Sequence, residues 1–152
     1  MRILSKFGGS SLASAKQFLQ VKKIISSNKN RQIIVVSAPG KDEINKTRIT
    51  DLLLLLTAHI EYDINYDYLL SNIYERYHSI INNLQIESKF YEKFEIFKKS
   101  LSKTLSKDYI ASRGEYFNAI IVSEYLGFEF IDAMDIIRLN LMGQLIMIKQ
   151  KN

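Results

Sequence analysis

A chain of 152 residues with 47% hydrophobic content is long enough to bury one core and short for two, and the complete lack of cysteine excludes disulfides and thiolate metal sites. The formal net charge of +5 raises the question of nucleic acid, but Lys89, Lys93, Lys98, Lys99, Lys103 and Lys107 alternate with Glu87, Glu92, Glu95 and Asp108 around an apolar stripe of Phe90, Phe94, Phe97 and Leu101, the pattern of a solvated helix face. The longest apolar run, Leu52 to Leu56, falls far short of the roughly 20 residues of a membrane span, and the start of the chain lacks a signal-peptide pattern, so a cytoplasmic protein without nucleic-acid or membrane partners is expected.

The first predicted element is a short strand over 2–7, which runs directly into Lys6, Phe7, Gly8, Gly9, Ser10 and Ser11. Without a Cβ at Gly8 and Gly9 the backbone can turn sharply and approach a ligand, and the N–H groups of such a turn suit an anion. A helix is predicted over 14–27 from the spacing of Phe18, Val21, Ile24 and Ile25. Its N-terminus directs a partial positive charge at the same place, and Lys6 adds a full one. The spacing is neither that of a P-loop nor that of a dinucleotide fingerprint. A plain βα turn with Ser14 as N-cap and Gln17 completing a capping box accounts for the same residues.

Beyond this turn the pattern predicts a strand over 32–37 and a polar loop over 38–48. Helices follow over 50–60, 66–83, 88–106 and 113–126, then a strand over 128–132, with Gly127 placed to end the last helix. Short apolar strands separated by helices imply parallel pairing through crossovers, hence an α/β layer architecture. His59 and His78 lie outside these motifs and read as packing or surface residues. Leu139 to Lys149 follows no pattern of its own.

Lys6-Phe7-Gly8-Gly9-Ser10-Ser11-Leu12-Ala13 resembles the signature that opens the aspartate kinases, members of the amino-acid kinase family. The resemblance continues in order through Val35 to Gly40, Lys46 to Leu53, Ser112-Arg113-Gly114-Glu115 and Phe130 to Ile137, and so covers residues 2 to about 140. It implies a three-layer α/β/α sandwich with a mainly parallel sheet, here truncated: residues 1–152 would be the N-terminal portion of the kinase domain, without the nucleotide-binding half and the regulatory domains. Met134 departs from the resemblance, because a basic residue is common there.

The implied reaction is phosphoryl transfer from ATP, with Mg2+, to the side-chain carboxylate of L-aspartate, giving 4-phospho-L-aspartate. A carboxylate with an ordinary pKa near ~3.9 is ionised at neutral pH, so this nucleophile needs no general base. By resemblance, Lys6 is the catalytic cation on the phosphate oxygens; Gly8, Gly9, Ser10 and Ser11 bind the phosphates; Ser37, Thr50 and Glu115 bind the amino acid, Glu115 facing its ammonium group. Two of these have local alternatives: Thr50 as the cap of its helix, and Ser112 with Glu115 as a capping box. No metal site can be identified among these motifs. The implied partners are L-aspartate, ATP and either a second copy of the chain or a complementing C-terminal half. Another amino-acid kinase, such as glutamate 5-kinase, and a non-catalytic module derived from the kinase are the alternatives.

Overall fold

In the computed structural model, which describes residues 1–139 and 145–148, the chain begins with strand β1 (Ile3–Phe7), a 3-10 turn (Gly9–Leu12), helix α1 (Ala15–Ser26) and strand β2 (Arg31–Val36). β1 and β2 pair in parallel, with Leu4 opposite Ile33, Lys6 opposite Val35 and Phe7 opposite Val36. The crossover through α1 is what parallel pairing requires. The expected strand, helix and strand therefore form within a residue or two of their predicted limits.

Strand alternation gives this sheet two unlike sides. Phe7 is buried, whereas Leu4, Ile33 and Val35 on the opposite side are 59%, 46% and 42% exposed among the described residues. α1 and the long helix α5 (Lys107–Leu126) are neighbours: Phe18 meets Tyr125 edge-on and Lys22 lies over the Tyr125 ring at 4.4 Å.

Five helices build the core, α1 contributing Phe18, Val21 and Ile25. α2 (Ile49–Glu61) is the predicted leucine-rich helix, with Leu53 and Leu56 buried and Leu55 at the surface. α3 (Asp67–Leu84) and α4 (Phe90–Ser100) enclose an aromatic cluster with α5, in which Tyr77, Phe90 and Phe117 are fully buried. Offset and edge-on ring contacts, such as Phe90 to Phe117 at 5.5 Å and Tyr77 to Phe90 at 5.0 Å, add to the burial. The lysines of α4 point away from it, as the alternation of charges predicts. Both histidines make local contacts, His59 to the Asn65 carbonyl and His78 to the Tyr91 hydroxyl.

Three expectations are corrected. The helix predicted over 88–106 stops at Ser100, because Leu101 is extended and Ser106 begins a new helix by accepting the Tyr109 N–H at 3.1 Å. α5 therefore starts at Lys107 and not at 113, which leaves Ser112 and Glu115 inside the helix, where no free N–H groups need a capping box. Residues 128–132 form no strand: Phe130 rests on Tyr116, and the Asp132 side chain accepts the Met134 N–H to open the short helix α6 (Ala133–Ile136). Gly127 ends α5 at φ +72° as expected, with the Phe128 N–H returning to the Ser123 carbonyl. α6 leads into β3 (Ile137–Leu139), antiparallel to β4 (Leu145–Ile148). The rest of the unpatterned stretch over 139–149 lies outside the described residues.

Candidate functional site

The carboxyl ends of β1 and β2 meet the starts of α2 and the middle of α5, the position at which open parallel sheets bind ligands. The turn after β1 and the loop after β2 touch through two glycines. A Cβ on Gly9 would lie 2.8 Å from the Ala38 carbonyl oxygen, and one on Gly40 would lie 2.6 Å from the Gly9 carbonyl carbon. The Gly40 N–H donates to the Gly9 carbonyl at 2.9 Å. Gly9 is thus required by close backbone approach and not by its φ, since Gly127 is the one glycine with positive φ among the described residues. Gly8 has nothing within 4 Å of a Cβ and faces solvent, so its backbone is open to a ligand.

The strand end of β2 is fastened on both sides. The Ser37 N–H continues the ladder to the Phe7 carbonyl at 3.1 Å, and the Ser37 carbonyl accepts from the fully buried Asn118 amide at 2.7 Å. The Ile49 N–H reaches back to the Pro39 carbonyl at 3.1 Å, so the start of α2 lies against the same loop. α5 crosses this junction at Gly114, where a Cβ would stand 2.8 Å from the Ala38 Cβ, 3.2 Å from Leu53 Cδ1 and 3.3 Å from Ile49 Cγ2. Glu115 follows in the chain and is half-buried beside the junction.

The candidate residues from the sequence are therefore carried by elements that converge on one corner: Lys6 from the end of β1, Gly8, Gly9, Ser10 and Ser11 from the turn after it, Ser37 from just beyond β2, Thr50 from α2 and Glu115 from α5. Among the described residues, the Lys6 ammonium, the hydroxyls of Ser10, Ser11, Ser37 and Thr50, and the Glu115 carboxylate make no hydrogen bond or ion pair. Elsewhere on the surface charges do pair, as in the two-pronged contact of Arg48 with Asp51 at 2.9 and 2.8 Å. Thr50 does not cap α2, because the helix begins at Ile49 after Arg48. Nor does Ser14 cap α1 with its side chain; its carbonyl takes the Gln17 and Phe18 N–H groups instead.

Four residues behind the corner escaped the sequence reading. The Tyr77 hydroxyl donates to the Gly114 carbonyl at 2.7 Å; burial pushes this phenol well above its ordinary pKa, with the Glu115 charge acting in the same direction. Arg76, 7% exposed, donates from its terminal nitrogens to the Gly40 carbonyl and, at 3.3 Å, to the Thr47 carbonyl. Asn118 and Gly114 complete the set. The detectable signals were a glycine inside a helix, which costs about 1 kcal/mol relative to alanine, and an arginine on the apolar stripe of Leu69, Ile73, Tyr77 and Ile80. A cleft of about 480 Å³ opens behind the 40–47 loop, between Ser14, Asp42, Thr47, Glu75 and Arg76. Among the described residues no group of three histidine, aspartate or glutamate side chains could hold a metal ion, and no helix is long and apolar enough to cross a membrane.

Residues 1–140 match the amino acid kinase family. Aspartokinase 3 of Bacillus subtilis (strain 168) is 34% identical over 134 residues, which amount to 84% of this chain and 30% of the relative. The crystal structure of Clostridium acetobutylicum aspartate kinase superposes with a TM-score of 0.90 at 43% identity, covering 96% of this chain and 34% of that one. E. coli aspartokinase III, solved in complex with aspartate and ADP, shares the fold with a TM-score of 0.64 at 22% identity, over 84% of this chain and 29% of that one. The chain spans about a third of the length of the relatives it matches.

Proposed function

The chain belongs to the amino acid kinase family, and from that membership we propose that it supplies the phosphate- and amino-acid-binding segment of an aspartate kinase. The reaction is transfer of the terminal phosphoryl group of ATP to the side-chain carboxylate of L-aspartate, giving 4-phospho-L-aspartate. One observation carries this reading. A lysine, four hydroxyls and a carboxylate, carried by four separate parts of the chain that meet at the strand ends, have no protein partners among the described residues.

The chemistry follows from charge. Aspartate brings an ionised carboxylate, so no base is required, and the obstacle is the approach of two anions. Lys6 stands where negative charge spreads over the transferred group, and the Gly8 backbone is open for an N–H contact to phosphate oxygens. Ser10 and Ser11 add hydroxyl donors. At the other side of the corner Ser37 and Thr50 hold the carboxylate end of aspartate and Glu115 its ammonium group. The aspartate and ADP bound to E. coli aspartokinase III support both substrates. Mg2+, when bound with ATP, would neutralise phosphate charge; none of the described residues is assigned to it. The adenosine site is assigned to a complementing half, and a second copy of the chain is the other partner considered.

The test is a kinase in which residues 1–140 of this chain precede the remainder of the Clostridium relative. Since the Lys6 contact strengthens as charge develops, Lys6→Ala is expected to lower kcat more than it raises KM for aspartate. Glu115→Gln is expected to raise KM for aspartate and to move the melting temperature little, because the carboxylate has no described partner and caps nothing. Unchanged kinetics in both variants would refute the assignment of this corner.

A further inference from the structure

We propose that Arg76 is a positioning residue that holds the 40–47 loop against the Gly8–Gly9 turn and thereby sets the phosphate-binding corner; the functional part of this inference rests on the kinase reading above. Its guanidinium is buried, and none of the described ion pairs involves it. Burying an arginine without a bonded carboxylate is costly, and desolvation lowers its pKa while the charge of Asp42 opposes the shift. What the side chain does with its donors is specific: one nitrogen takes the Gly40 carbonyl and another the Thr47 carbonyl, the two ends of the loop between Ser37 and Thr50.

Beyond the backbone bonds at its ends, from Gly40 to Gly9 and from Ile49 to Pro39, the loop has little else to hold it there. Ile44, its one large apolar side chain, is 88% exposed, and Lys41, Glu43 and Lys46 face solvent. The cleft of about 480 Å³ separates the loop from α3 over most of its length, so apolar packing does not fix their spacing. Within the loop, Asp42 accepts the N–H groups of Ile44 and Asn45, which shapes the turn but does not anchor it to the domain. Arg76 provides that anchor. Gly40, gripped by Arg76 through its carbonyl, donates its N–H to Gly9, so the same residue links α3 to the turn after β1. Ile49, two residues after Thr47, leads into Thr50, so the second carbonyl adds to the Ile49 N–H bond to Pro39 in holding the start of α2.

Amide hydrogen exchange on the 152-residue chain tests the tether. A hydrogen bond to a charged group is worth enough that its loss speeds local opening by about tenfold. Arg76→Met is expected to show this rise in peptides covering 8–12 and 38–48, with peptides of α4 and α5 unchanged; Arg76→Lys, which retains the charge but cannot span both carbonyls, is expected to show a smaller rise in the same peptides. If the methionine variant does not fold, the lysine variant alone supplies the reading. A uniform rise across the chain, or none, overturns the proposal, since Arg76 would then be an ordinary stability residue or no tether.

Inorganic tripolyphosphate, titrated against the Gly8 and Gly9 amide resonances, separates the tether from the functional reading. Weaker binding by Arg76→Met with the loop-confined exchange supports the proposal, and unchanged affinity despite a loosened loop overturns the positioning role. If tripolyphosphate shifts neither amide in the unmodified chain, the kinase reading of the corner fails while the exchange result still decides whether Arg76 holds the loop.

Discussion

Replacing Gly114 by alanine sets two known effects against each other. In an exposed helix interior the change gains about 1 kcal/mol, because glycine is the poorer helix former. Here the new methyl would arrive 2.8 Å from the Ala38 Cβ, more than ~1 Å inside the roughly 4 Å at which two such carbons rest. Ala38 has no rotamer through which to yield, and Leu53 and Ile49 close the sides at 3.2 and 3.3 Å, so the helix and the loop after β2 must separate. Overpacking of this kind costs about 1–3 kcal/mol and more when only backbone can move. The expected net loss is about 1–2 kcal/mol, which for a chain of this size lowers the melting temperature by several degrees, at about 2–4 °C per kcal/mol. Circular dichroism on thermal denaturation reads it directly. The double variant with Ala38→Gly removes the nearest atom and is expected to recover about 1 kcal/mol relative to strict additivity. A melting temperature raised by Gly114→Ala alone, or full additivity of the pair, would refute the close-contact argument.

Two further outcomes are expected. The side of the sheet bearing Leu4, Ile33 and Val35, with Lys6 opposite Val35, is an apolar patch on a sheet that pairs with no third strand among the described residues; the isolated chain should self-associate in sedimentation velocity, and Val35→Lys should reduce association without lowering stability. A monodisperse monomer at high concentration would contradict this. For Asp42, desolvation raises the pKa, but hydrogen bonds from Asn45 and Ile44, with the charge of Arg76, outweigh it and hold the carboxyl below its ordinary value. A folded pKa below the unfolded one means that the turn is favoured above about pH 4 and lost as pH falls through the folded value. The Ile44 and Asn45 amide resonances should therefore titrate with a midpoint under the reference value of 3.8, and a midpoint at or above it would show that these bonds do not favour the charged form.

The opening strand, its glycine turn and the first crossover were legible because local signals agree there: apolar alternation, two glycines and a helical period all point one way. The convergence of Ser37, Thr50 and Glu115 was legible only through resemblance, since no periodicity brings residues so distant in the chain together. The start of α5 was misread because Ser112 and Glu115 have capping-box spacing, whereas Ser106 supplies the actual cap and the apolar repeat of Ile110, Phe117 and Ile121 already includes the preceding turn. The strand expected at 128–132 shows the limit of β-propensity: Phe130 packs on Tyr116, and residues that alternate like a strand pair with no neighbour. Arg76 and Asn118 were overlooked because an inward polar side chain is interpretable only once its backbone acceptor is known.

The Asn118 to Ser37 hydrogen bond spans 81 residues of sequence. Closing so long a loop is an entropic cost met only when much of the chain has already condensed. The aromatic contacts between α3 and α4, by contrast, join residues close in sequence, as with Tyr74 and Phe90. The helical side can therefore gather early, while the corner at the strand ends waits for α5 to leave the ribosome and dock. Substitutions at that junction belong to the late part of folding, so they should chiefly hasten unfolding and leave the rate of collapse alone. The corner proposed to bind ligand is then the part of the native state whose persistence, more than its formation, is set by the residues around Gly114 and Asn118.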